Sequence, residues 1–305
     1  MKLGVVQSKP RKGDIPSNMA ALGEVFAQLA AEETPYEMIV LPEAALTGYF
    51  LEGAVYELAF EREKLAREIA RLWRSQSGAE RGPVDIVLGF FENAEGTYYN
   101  AAMYLSVERA AERIAHVHRK LFLPTYGVFD EERFLSRGRR LEVFETRFGR
   151  AALLICEDAW HAIVPTLAAV KGARLLIVPS ASPGRGLGGD GELLSVSRWR
   201  DVLRSYAIEH GVFVIYAGLA GFEGGKGMTG SSMVIDPHGA ILAAAPALGA
   251  CLIRAHIDLS EIELARAELP LLGDLDAVLP DLLADPDLFS QAGARAGAAL
   301  PSVER

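Results

Sequence analysis

Three short apolar runs, Leu153–Ile155, Leu175–Val178 and Val212–Ile215, constrain the fold more than any other feature of this sequence. They are continuous rather than alternating, so the strands they form are buried on both faces. Such a sheet needs covering layers, and helical periodicity in Ile15–Glu33, Val55–Ser75, His161–Lys171, Glu192–His210 and Ile262–Glu268 supplies them. Asp14 is placed to cap the first of these helices, and Pro165 falls in the first turn of the third, where a missing N–H is tolerated. Strand-like segments run the length of the chain: Leu3–Gln7, Met38–Leu41, Ile86–Phe91, Tyr98–Ser106, Arg113–Arg119, Leu141–Phe144, Ala151–Cys156, Leu175–Pro179, Val212–Ala217, Ser231–Asp236, Ile241–Ala245 and Cys251–Asp258. Asp236-Pro237-His238-Gly239 reads as a hairpin turn. The pattern predicts an α/β protein with mixed sheets covered by helices.

Strands and helices alternate without a compositional break, which predicts one domain over residues 1–260 and a C-terminal extension over 261–305. After Pro270 the chain is short apolar clusters among Asp, Pro and Gly, and from Asp287 it is expected to fray. Half of the 305 residues are hydrophobic and 23% are charged, which excludes wholesale disorder. A net charge of −9 argues against nucleic acid or an anionic membrane as partner. The longest uncharged stretch, Gly239 to Ile253, contains Pro246 and falls short of the ~20 residues of a membrane span. Met1 to Pro10 has no signal-peptide core, so a cytoplasmic protein is expected. Two cysteines build neither a disulfide framework nor an all-thiolate zinc site, and no metal or cofactor is expected.

Those two cysteines differ in setting. Cys156 ends the run Ala151–Ile155, and Glu157-Asp158-Ala159-Trp160-His161 is read as opening a helix. The carboxyl end of a buried strand is where α/β folds place their sites, and a helix N-terminus there lowers a thiol pKa. The alternative is a buried structural thiol, the commoner state of a free cysteine. Cys251, opening a strand after Gly249-Ala250, is assigned to packing. A thiol nucleophile needs a base and an oxyanion stabiliser. His161 lies inside the expected helix, and His116 and His118 share a strand face that reads as sheet surface, so a Cys–His pair is weakly supported. Glu43 after Met38–Leu41 and Lys120 after Arg113–Arg119 offer a carboxylate base and a positive charge at strand ends, where the plain reading is solvated loop charge. Gly184-x-Gly186-x-x-Gly189 has the spacing of a dinucleotide loop but follows Ser182-Pro183, and reads better as a loop over the site that brings Arg185 to a substrate carboxylate. Gly221-x-x-x-Gly225-Lys226-Gly227 is one residue short of a phosphate-binding loop.

Taken together, Leu41-Pro42-Glu43, His118-Arg119-Lys120 with Pro124–Glu131, and Leu154-Ile155-Cys156-Glu157-Asp158 resemble the three signatures of the nitrilase superfamily of carbon–nitrogen hydrolases, in that order. Ser180-Ala181-Ser182-Pro183, Ala207–Gly211 and Gly230–Gly239 resemble its later segments. The resemblance spans about residues 1–258 and implies an α-β-β-α sandwich that forms homodimers. It implies Glu43 as general base, Lys120 as stabiliser of the tetrahedral intermediate, Cys156 as nucleophile and Glu131 as the second glutamate positioning Lys120, with Glu132 as the fallback. The activity implied is hydrolysis of a small-molecule amide through a thioester.

Tyr126–Glu131 and Cys156-Glu157-Asp158 are most similar to the glutaminase domains of glutamine-dependent NAD synthetases, which implies that Tyr126 and Glu157 contact an α-amino substrate. Phe129 in the first of these segments and Ser180 in the later Ser180–Pro183 segment are expected beside it. No ATP-pyrophosphatase segment is visible, so a free-standing amidase is expected. A glutaminase working in trans, a nitrile hydrolase and a silent binding protein of the same fold stay open. Tyr216-Ala217-Gly218 stands where the family usually has an Asn.

Overall fold

In a computed structural model, which describes residues 1–77, 82–189 and 191–290, the chain forms two six-stranded sheets and a separate hairpin. The first half runs β1 (Lys2–Gln7), α1 (Ile15–Ala30), β2 (Met38–Val40), α2 (Val55–Leu58), α3 (Arg62–Ser77), β3 (Val84–Ala94), β4 (Thr97–Val107) and β5 (Glu112–Arg119). The second runs β6 (Phe144–Thr146), β7 (Gly149–Leu153), α4 (Ile163–Val170), β8 (Leu175–Ser180), α5 (Leu194–His210), β9 (Phe213–Gly218), β10 (Ala220–Glu223), β11 (Lys226–Thr229), β12 (Met233–Ile235), β13 (Ile241–Ala244), β14 (Cys251–His256), α6 (Glu261–Glu268), α7 (Leu271–Ala284) and α8 (Asp287–Ser290). The sheet orders are β14-β1-β2-β3-β4-β5 and β13-β12-β9-β8-β7-β6. In each, the inner strands are parallel (β1-β2-β3 and β7-β8-β9) and the flanking pairs antiparallel.

Side-chain alternation builds the layers. On β3, Ile86, Leu88 and Phe90 pack with Phe26 of α1 and Leu65, Ile69 and Trp73 of α3, whereas Val87 turns inward to a core shared with β7, β8 and β9. Trp199, Leu203 and Tyr206 of α5 cover the far side of the second sheet. The result is the expected α-β-β-α sandwich. Asp14 caps α1 by accepting the Ser17 N–H at 3.1 Å, and β12 and β13 pair through the expected turn.

Three segments differ from the sequence reading, and a fourth, the dismissed Gly221–Gly227 spacing, is accounted for by a hairpin. Val55–Ser75 is broken between α2 and α3 because Phe60 joins the edge of β3, donating to the Phe91 carbonyl and accepting from Asn93 N–H, both at 2.8 Å. The strand expected at Leu141–Phe144 starts at Phe144. The Gly221–Gly227 spacing belongs to the β10–β11 hairpin, with Gly224 and Gly225 at positive φ in its turn. After Pro270 the chain forms α7, whose leucine spacing outweighs the helix-breaking Pro280. The tail beyond residue 290 lies outside the described residues. Among the described residues no helix is long and apolar enough to cross a membrane.

Candidate active site

Glu43, Lys120 and Cys156 each follow the carboxyl end of a strand, β2, β5 and β7, and the facing sheets bring them together. Glu43 is fully buried. Its Oε1 accepts from Lys120 Nζ at 2.9 Å and Asn100 Nδ2 at 2.6 Å, and its Oε2 accepts from Ala181 N–H at 2.7 Å. Glu131 Oε1 accepts from Lys120 Nζ and Asn100 Nδ2, both at 2.9 Å, and from Tyr49 Oη at 2.7 Å. Lys120 therefore lies between two carboxylates. Glu132, the fallback, is exposed. Close backbone approach fixes these positions. A side chain on Gly89 of β3 would place Cβ 2.4 Å from Glu43 Cα, and one on Gly138 would meet the Arg119 carbonyl at 2.0 Å.

Cys156 has φ +45° and Ala44, after Glu43, φ +51°, so both stand in the left-handed region that non-glycine residues rarely adopt. Cys156 opens a five-residue 3₁₀ turn, Cys156–Trp160, and α4 starts only at Ile163. The expected helix N-terminus at the thiol is absent. Burial and the Glu43 charge push the thiol pKa well up, with Lys120 opposing, rather than down as expected. Burial, reinforced by Glu131 and opposed by Lys120, also raises Glu43. Burial alone would lower Lys120, but the charges of Glu131 and Glu43 raise it well above its usual value. Burial thus raises Cys156 and Glu43, while the two carboxylates beside Lys120 raise it against the effect of burial.

Three supports escaped sequence reading: Asn100 and Tyr49, described above, and Asp158. Asp158 is fully buried; Oδ1 accepts from the Leu121 and Phe122 N–H groups, and Oδ2 meets His118 Nε2 at 2.8 Å. His118 is therefore not sheet surface: it is 1% exposed and tied to the turn carrying Cys156. Glu223 of the β10–β11 hairpin accepts from the Tyr49 and Phe50 N–H groups and so holds the loop carrying Tyr49. A polar residue inside an otherwise apolar strand (Asn100) was the one readable signal.

A cavity of about 210 Å³ opens over Cys156, walled by Tyr126, Phe129, Glu157, Trp160, Arg185 and Arg198. Tyr126 Oη donates to Glu157 at 3.0 Å, and burial with the Glu157 charge raises its pKa to about 12. Arg185 lies over the Phe129 and Tyr126 rings at 4.9 and 5.6 Å. The Gly184–Gly189 loop thus contributes Arg185 to this cavity. Ser180 is fully buried at the end of β8 and does not line it; Ser182 does. Tyr216 is buried, and burial raises its pKa. Cys251 is half-buried on β14, away from the site.

The sequence model of the family described as carbon–nitrogen hydrolase matches residues 2–267. A glutamine-dependent NAD(+) synthetase from Thermotoga maritima is 30% identical over 249 residues, 79% of this chain and 39% of that protein. The N-carbamoylputrescine amidase of Arabidopsis thaliana is 26% identical over 262 residues, 83% of this chain and 85% of that protein. The chain thus spans about two fifths of the synthetase's length. A carbon–nitrogen hydrolase structure from Helicobacter pylori G27 superposes with a TM-score of 0.79 at 24% identity, covering 96% of this chain and 98% of that one, and shares its fold.

Proposed function

Since the chain belongs to the carbon–nitrogen hydrolase family, we propose that it hydrolyses the ω-amide of a small α-amino acid of the glutamine class through a thioester on Cys156. The observation that carries this reading is the composition of the 210 Å³ cavity, in which one carboxylate, Glu157, and two guanidinium groups, Arg185 and Arg198, flank the thiol. Glu157 suits a substrate ammonium, the arginines suit its carboxylate, and Tyr126 orients Glu157. The synthetase relatives support the same substrate class.

The thiol proton passes to Glu43 as Sγ attacks the amide carbon, and Lys120 faces the oxyanion. The tetrahedral intermediate collapses with C–N cleavage, and the departing nitrogen takes the proton from Glu43 and leaves as ammonia. Water then gives a proton to Glu43 and its oxygen attacks the thioester carbon. The C–S bond breaks, and the proton returns to the thiol. Glu131 holds Lys120 in place throughout. A homodimer accompanies this reading, supported by the exposed Leu271, Val278, Leu282 and Leu283 on α7, and light scattering measures it.

A panel of amides, N-carbamoyl amines and nitriles scored for ammonia release tests the substrate. Preference for α-amino ω-amides supports the reading, whereas equal rates on simple aliphatic amides, or turnover of nitriles alone, overturns it. Intact-mass detection of an acyl adduct on Cys156, absent in Cys156→Ala, tests the thioester.

A further inference from the structure

A second cavity, of about 430 Å³, shares no residue with the one over Cys156 and collects Arg62 at the start of α3 with Arg119, Arg137, Arg139 and Arg140 of β5 and the segment that follows it. Such a concentration of cations runs against the net charge of −9. The five are not equivalent. Arg119 is paired to Glu92 at 2.6 Å and stacked on Tyr99 at 3.9 Å, and Arg62 lies 3.7 Å from the same Glu92. Arg137, Arg139 and Arg140 are exposed and make no hydrogen bond or ion pair among the described residues. Three like charges within four positions repel one another.

Their mount is rigid. Gly138, between Arg137 and Arg139, donates its N–H to the Lys120 carbonyl at 2.7 Å and lies too close to the Arg119 carbonyl to carry a side chain. The free guanidinium groups therefore leave a fixed backbone, which lowers the ordering cost of binding. His116 lines the cavity with a side chain only 11% exposed, stacked on Phe144 at 4.7 Å, and its Nε2 is buried without a hydrogen-bond partner. The cavity's one lining carboxylate, Glu142, is 54% exposed and 3.7 Å from His116 Nδ1.

We infer that this cleft binds a small polyanion and that its ligand class is an oligophosphate, free or carried on a small molecule. A single carboxylate needs one guanidinium, whereas three unpaired planar forks match the oxygens of successive phosphates. The concave form suits a small ligand better than the flat face of an acidic protein.

The test is calorimetric titration of inorganic triphosphate into the full chain, with sulfate as a comparison anion. Saturable triphosphate binding, tighter than sulfate and weakened by salt, is expected. Arg139→Gln/Arg140→Gln weakens it by roughly tenfold or more, as loss of charged hydrogen bonds should. Arg109→Gln, an exposed arginine outside the cavity, leaves it unchanged. Absence of saturable binding, equal affinity for sulfate, or equal weakening in the Arg109 variant overturns the inference. Circular dichroism of each variant shows that the fold is retained, so a lost signal reports the site.

Discussion

Asp158 accepts the Leu121 backbone N–H at 2.9 Å, so one buried carboxylate holds the turn carrying Cys156 against the strand end carrying Lys120. The same carboxylate accepts from Ile155 N–H at 3.1 Å and meets His118, joining both sides of the candidate site. Asp158→Asn replaces an acceptor with a donor facing these N–H groups. A small misplacement of nucleophile against ammonium costs about a hundredfold in kcat. Steady-state ammonia release should show that loss. In Asp158→Ala, thermal and urea unfolding should show destabilisation of about 3 kcal/mol, since the buried partners are left unmatched.

Glu43 depends on a glycine that touches no substrate. Gly89→Ala sets a methyl 2.4 Å from Glu43 Cα and 2.7 Å from the Pro42 carbonyl, so the base must move. Overpacking of this kind costs ~2 kcal/mol of stability. Activity should fall further than stability alone explains, because the displaced group carries the proton. Gly53→Ala, with nothing within 4 Å of the new methyl, is the control and should leave rate and unfolding midpoint unchanged.

The pH profile follows from the charges around Glu43. Burial and the Glu131 carboxylate raise its pKa above the ordinary 4.5, with Lys120 opposing. If Glu43 is the base, as proposed, its ionised form is the active one, so activity is present above the raised value and is lost as pH falls through it. The acidic limb of kcat/KM should therefore lie above the ordinary glutamate range. Glu131→Gln removes the neighbouring negative charge and should move that limb to lower pH while reducing kcat. A limb that stays in place assigns the titration to another group.

Glu43, Lys120 and Cys156 were legible as candidates because each stands at the end of a strand-like segment, and the resemblance of those segments to the family's signatures singled them out. Asn100, Tyr49 and Asp158 were not, because their roles arise from contacts across distant segments: Asn100 meets Glu43 across 57 positions, and Tyr49 meets Glu131 across 82. The break at Phe60 was hidden for the same reason, since its cause is the edge of β3 rather than the local sequence. The thiol pKa shifts with the opposite sign to that expected from sequence: no helix starts at Cys156, and nothing local announces that a glutamate 113 positions earlier folds beside it.

That sign has a measurable consequence. A thiol raised by burial and by Glu43 above its ordinary 9.0 holds almost no thiolate in the neutral range. Under the proposed mechanism the nucleophile then forms during the reaction, by proton transfer to Glu43 as substrate enters. Iodoacetamide, which depends on resting thiolate, should therefore alkylate Cys156 slowly, at a rate that keeps rising beyond pH 9. A preformed thiolate would instead give a plateau in the neutral range. Cys251→Ala, which removes the other thiol, should keep full hydrolysis and the same pH dependence of inactivation. In Glu43→Gln the negative charge is gone, so Cys156 should alkylate faster at a given pH while amide turnover is lost. Opposite movement of those two rates separates proton acceptance by Glu43 from mere support of the fold, which would slow hydrolysis without making the thiol more reactive.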